Sequence, residues 1–125
     1  MSADASREAE LISSLGALRS RLAHAAEAAG RNTADIELLP ITKFFPASDV
    51  AILWRLGCRS FGESRDQEAT AKIAEFQRAL TPAGDPGSVR WHMVGQIQSK
   101  KAKHVAGWAD TVHSVSTAKV VAALD

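Results

Sequence analysis

Apolar residues recur at helical spacing in the first part of the chain, at Leu11, Leu15, Leu18, Leu22 and Ala29. With Glu8 and Glu10 near the start and Gly30 as a stop, that period predicts a helix over residues 5–29. A polar link, "RNTAD", leads to Ile36 to Thr42, a largely apolar stretch that reads as a strand buried on both faces. Pro40 has no N–H for a ladder, so an irregularity is expected there. From Pro46 the pattern returns to helix as far as Leu56, with Gly57 as the stop.

The rest of the chain alternates. "CRSFGE" reads as a short strand, and Ser64 with Gln67 reads as a capping box for a helix reaching about Leu80. "TPAGDPGS" is the plainest loop, because prolines and glycines punctuate it. "VRWHMVG" reads as a third strand, "SKKAKHVA" as a helix and "DTVHSV" as a fourth strand. Ser116 is the expected cap of a last helix, "TAKVVAALD". A leading helix followed by strand–helix pairs implies parallel pairing and right-handed crossovers. Two α/β architectures satisfy this order: a small open sheet complete in itself, or half of a (β/α)8 barrel, which needs roughly 250 residues.

Composition narrows the class. The chain has 125 residues, 46% hydrophobic and 23% charged, as expected for one globular domain with a real core. A formal charge of +1 offers no whole-chain attraction to nucleic acid or to an anionic membrane. The single cysteine, Cys58, cannot form an internal disulfide and is expected to be a small buried residue. The polar, acid-bearing N-terminus matches neither a signal peptide nor a basic transit peptide, and no apolar run reaches transmembrane length. A cytoplasmic location is the resulting expectation.

In either architecture, functional groups gather where parallel strands end. Lys43, Ser64, Gln96 and Ser114 to Ser116 all fall at such ends, and His92 lies inside the third strand. Crowding of Lys43 by Phe44 and Phe45 would favour a neutral amine, the form that attacks a carbonyl compound to give a Schiff base. The competing reading is a lysine that merely snorkels past Phe44 to solvent. "FGES" and "MVGQ" place a glycine near a strand end, but neither forms the spaced glycine fingerprint of a dinucleotide site. His92, His104 and His113 lack metal-ligand spacing. The lysines of "QSKKAKH" read as a solvated helix face, with nucleic-acid binding the lesser alternative. Trp91 is expected to be core on one side and pocket wall on the other.

Three stretches, "LLPITKFFPASDV", "RSFGESRDQEA" and "VRWHMVGQIQSKKAKHVAGWADTVHSV", resemble in order and spacing the pyridoxal phosphate homeostasis proteins. These are relatives of the N-terminal barrel domain of alanine racemase. The resemblance covers residues 8 to 125, about the first half of a family member. It implies a (β/α)8 TIM-type barrel, of which this chain supplies an N-terminal helix and four β/α units as a half barrel. It implies binding of pyridoxal 5′-phosphate, with Lys43 as the Schiff-base lysine and Ser64 and His92 as further cofactor-binding residues. It also implies a role in buffering the cofactor or delivering it to apo-enzymes, without robust catalysis, nucleic acid or membrane.

The chain departs from the family's pattern in places. Ser64 stands where the family has asparagine, and Gln98, Ser99, Lys100 and Lys101 stand where it reads Gln-x-Asn-Lys. The resemblance places the phosphate-gripping loops and an arginine in the second half of a family member, past Asp125. Two alternatives remain beside it. A racemase-type pyridoxal phosphate enzyme of the related fold uses a tyrosine opposite the lysine, and this chain has no tyrosine. A non-binding α/β module is the other. Cut from a barrel, four units would leave open strand edges prone to self-association, and an inner face showing Ile41, Phe61 and Val94.

Overall fold

The computed structural model describes residues 3–80 and 89–125, and the loop expected at 81–88 lies outside them. The chain divides into two compact units, Met1–Leu39 and Pro40–Asp125.

The first unit is a long helix, α1 (Ala3–Ala28), and a short 3₁₀ turn at Thr33–Asp35. Gly30 stops the helix in the left-handed region, at φ 69°. There the Arg31 N–H donates to Ala26 O at 2.8 Å and the Gly30 N–H to Glu27 O at 3.1 Å. That bond pair is the Schellman closure, which satisfies carbonyls the helix leaves over. The "RNTAD" link is ordered by Asn32, whose side chain accepts from the Ala34 N–H at 3.0 Å. Along the expected apolar stripe Leu15 is buried, whereas Leu18 and Ala29 are exposed.

The second unit is a parallel sheet with helices against one face. Its elements are α2 (Ala47–Arg55), β1 (Ser60–Glu63), α3 (Asp66–Leu80), β2 (Arg90–Met93), α4 (Ala102–Ala106), β3 (Thr111–Val112) and α5 (Ala118–Leu124). The strands lie in the order β1-β2-β3, all parallel. Gly57, at φ 101°, ends α2 with the same closure as at Gly30: Cys58 N–H to Leu53 O and Gly57 N–H to Trp54 O, both 3.0 Å.

The expected strand at 36–42 does not form. Only Ile41 pairs, opposite Gly62, through Gly62 N–H to Pro40 O and Thr42 N–H to Gly62 O, both 2.8 Å. Pro40 is the reason: the next rung of a parallel ladder would need its N–H. Burial on both faces fails too, because Ile41 is 45% exposed. The other boundaries move by a residue or two. Helix α5 is capped by Thr117, whose hydroxyl accepts from the Val120 N–H at 3.2 Å, and not by Ser116. In α3 the Arg65 carbonyl accepts the first helical bond, from Ala69, so Ser64 precedes the cap position.

The core lies between sheet and helices. Phe61, Phe76 and Trp91 meet at centroid distances of 5.5 to 6.3 Å, two of the three pairs edge to face. Each such pair adds about 0.5–1.5 kcal/mol to the burial of its rings. Met93, Ile97, Ala102, Val105 and Val120 form a second cluster beneath α4 and α5. Cys58 is buried as expected, and Trp91 is core that also helps to line a cavity of about 340 Å³ with Phe76 and Trp108. Phe61 therefore faces α3, and the expectation that it shares a face with Ile41 and Val94 is corrected. The face opposite the helices carries Ser60, Gly62, Arg90 and His92, because β1 and β2 pair in the register Ser60–Arg90 and Gly62–His92. It is more polar than expected, and Arg90 Nε donates to Ser60 Oγ at 3.1 Å.

Candidate functional site

The strand ends are where the expected site residues fall. Lys43 sits in a tight turn directly after the Ile41 bridge, closed by the Phe45 N–H donating to Thr42 O at 3.0 Å. Lys43 is half-buried, and no hydrogen bond or ion pair holds its ammonium among the described residues. The apolar crowding expected around it is absent, since Phe44 is 66% exposed and Phe45 also lies out in solvent. Phe44 instead has φ 69°, a left-handed conformation that a non-glycine residue adopts at a cost of about 1–2 kcal/mol. The Arg65 guanidinium stands 5.5 Å from the centroid of its ring.

An ion cluster underlies this turn, and sequence reasoning missed it. Glu63, the last residue of β1, is 0% exposed, and Lys72, from the middle of α3, is 5% exposed. Lys72 Nζ donates to both Glu63 oxygens at 3.0 and 2.9 Å, to Glu68 Oε1 at 3.0 Å and to the Thr42 carbonyl at 2.6 Å. The Thr42 hydroxyl donates to Glu63 Oε2, and the Phe44 N–H donates to Glu68 Oε1. Burial by itself would raise the pKa of the Glu68 carboxyl. Hydrogen bonds from Phe44 and Lys72, with the charges of Lys72 and Arg65, outweigh burial and hold it below the ordinary carboxylate value. The sequence did carry a signal. Lys72 falls on the buried stripe of α3 with Ala69, Ile73, Phe76 and Leu80, where a charge needs a partner.

Ser64 and His92 occupy different surroundings. Ser64 lies under Gly95, where an added Cβ would meet Ser64 Cβ at 3.1 Å, so the two strand-end loops approach more closely than most side chains at residue 95 would allow without a small shift. Ser64, Gln67, Gln96, Gln98 and Lys101 help to line a cleft of about 420 Å³ between the start of α3 and the loop after β2. Lys43 and His92 are not among its lining residues. His92 projects from the face opposite the helices, where its Nδ1 lies 2.9 Å from His113 Nε2. The structure thus joins Ser64 to Gln96 and His92 to His113. Ser114 to Ser116 follow β3, as expected of a strand end. Lys100, Lys101, Lys103 and His104 are exposed. Among the described residues no group of three His, Cys, Asp or Glu side chains is placed to hold a metal, and no helix is long and apolar enough to cross a membrane.

The chain is 64% identical, over its full length, to a protein of Mycobacterium tuberculosis H37Rv named pyridoxal phosphate homeostasis protein. It belongs to the pyridoxal phosphate homeostasis protein family. No family model matches it. The chain spans about half the length of the curated relatives it matches, 49% of the M. tuberculosis protein. Two solved structures are similar. One is an unknown protein from Bifidobacterium adolescentis, at TM-score 0.85 and 29% identity, covering 95% of this chain and 49% of that one. The other is PipY of Synechococcus elongatus with pyridoxal phosphate bound, at TM-score 0.63 and 32% identity, covering 82% of this chain and 45% of PipY. The pyridoxal phosphate homeostasis proteins carry names of homeostasis proteins and not of enzymes. The mixed α/β fold with a parallel sheet is shared with these structures.

Proposed function

We propose that the chain is the first half of a (β/α)8 barrel that binds pyridoxal 5′-phosphate and serves intracellular cofactor homeostasis, acting as a binding protein and not as an enzyme. The cofactor is held as a Schiff base on Lys43, with Ser64 and His92 as further contacts. The observation that carries this reading is Lys43 itself: a half-buried lysine at the end of a parallel segment, with no carboxylate bound to its ammonium among the described residues. An amine engaged by carboxylates, like that of Lys72, is a poor nucleophile, so the two lysines are sorted by their partners. The relatives' names and the pyridoxal phosphate in PipY support the choice of cofactor.

The residues present fit the aldehyde end of the cofactor better than its phosphate end. A dianionic phosphate calls for N–H donors at a helix N-terminus or an arginine fork. In barrels of this type the phosphate loops usually follow the seventh and eighth strands, which four units do not include. A half barrel also leaves strand edges that favour self-association, and apo-enzymes receiving the cofactor are the partners this role requires. The test is borohydride reduction after incubation with pyridoxal phosphate, followed by peptide mass mapping. The expected result is cofactor mass on Lys43 above all other lysines. Label spread evenly over Lys43, Lys100, Lys101 and Lys103 would overturn the reading.

A further inference from the structure

The geometry points to Glu68 and Lys72 as positioning residues for Lys43, an inference that rests on the Schiff-base reading above. Two peptide groups flank the Lys43 Cα, and one ion cluster grips both. The oxygen of the Thr42–Lys43 peptide accepts from Lys72 Nζ at 2.6 Å. The N–H of the Lys43–Phe44 peptide donates to Glu68 Oε1, which itself receives Lys72 Nζ at 3.0 Å. Glu63, wholly buried at the end of β1, anchors the same ammonium to the sheet at 2.9 Å.

The conformation of the turn agrees with this role. Phe44 holds φ 69° with its ring mostly in solvent, so packing of the ring does not impose the left-handed backbone. Such conformations persist where the surroundings over-determine them, and here the peptide bonds to Glu68 and Lys72 do so. The ladder contributes little, because the preceding segment pairs through Ile41 alone. With both flanking peptides fixed, the freedom of Lys43 reduces to its side-chain torsions. That restriction holds an attacking amine near its productive approach.

The test uses the whole chain and two variants. Glu68→Ala removes the acceptor of the Phe44 N–H but leaves the Lys72–Glu63 pair closed, so no buried charge is stranded. Glu68→Gln keeps an oxygen for that N–H. Hydrogen exchange of the Phe44 amide, followed by NMR, should quicken by about tenfold or more in Glu68→Ala and return close to the parent rate in Glu68→Gln. Borohydride-trapped label at Lys43, as a ratio to exposed Lys103, should fall about fivefold or more in Glu68→Ala and recover in Glu68→Gln. General loosening of the fold would not move that ratio selectively. Unchanged exchange at Phe44, or faster exchange with an unchanged ratio, overturns the inference. If Lys43 of the parent chain takes no label, the Schiff-base reading falls, and the exchange measurement alone decides whether the cluster fixes the turn.

Discussion

Replacing Lys72 by methionine separates a stabilising ion cluster from a merely crowded one. Methionine conserves most of the aliphatic volume, so the cavity contribution is small. The loss comes from the carboxylates. Glu63, at 0% exposure, would keep the Thr42 hydroxyl as its remaining donor after losing Lys72 from both oxygens. Removing one partner of a buried pair costs about 3–5 kcal/mol, because an uncompensated charge stays behind. Glu68 is 25% exposed and can rehydrate, so its share is on the scale of a surface pair, about 0–1 kcal/mol. The sum, about 3–6 kcal/mol, is a large part of the 5–15 kcal/mol typical of a domain. Urea unfolding followed by far-UV circular dichroism, at one protein concentration, measures it. The double variant Lys72→Met with Glu63→Gln removes the stranded charge and should regain about half of the loss. A loss below about 1 kcal/mol in Lys72→Met, or a double variant no better than the single one, would refute the reasoning.

Gly16 inside α1 and Gly30 just past its end should respond in opposite directions. At both Gly16 and Gly30 an added Cβ would have nothing within 4 Å, so only backbone conformation differs. Gly16→Ala, inside the helix, should stabilise by about 0.5–1 kcal/mol, while Gly30→Ala, at φ 69°, should destabilise by about 1 kcal/mol; thermal unfolding reads both. The lowered pKa of Glu68 gives a pH dependence with a definite sign. Its folded pKa lies below the unfolded value, so its contribution is present above the unfolded pKa and lost as pH falls through the folded one. Glu68→Gln should therefore flatten the acid limb of stability against pH, by about 0.5 kcal/mol, and an unchanged limb would count against the cluster.

Much of this fold could be read from the pattern of residues, and its failures have local causes. The glycine stops at Gly30 and Gly57 were legible because only a residue without Cβ closes a helix in that way cheaply. The strand at 36–42 was misread because apolar continuity outweighed the missing N–H of Pro40, which left one bridge. Ser116 lost its cap by one residue to Thr117, whose hydroxyl takes the Val120 N–H, and Ser64 lies one residue before the cap position of α3. At the candidate site, Lys43 does follow a parallel-paired segment, as its sequence position implied, but its neighbours were misjudged. Adjacent phenylalanines were assumed to fold over it, whereas a left-handed residue swings one of them outward. Lys72 on the apolar stripe of α3 signalled a buried charge, but Glu63 is ordinary on its own, so the partner was overlooked. Their meaning appears only when the α3 stripe is laid over the end of β1, a juxtaposition that no sequence period records.

The single bridge at Ile41 also sets the mechanics of the lysine's mount. A strand paired over several residues resists rotation about its own attachment, as a plank does when nailed at several points. One paired at a single residue behaves as a pin joint and can swivel. Two bonds to Gly62 form the pin, and the bond from Lys72 to the Thr42 carbonyl is the strut that stops the swivel. The angular stiffness of the Lys43 turn is thus electrostatic in origin. A ladder weakens gradually as its bonds fray, but a strut made of one buried ammonium either holds or lets go.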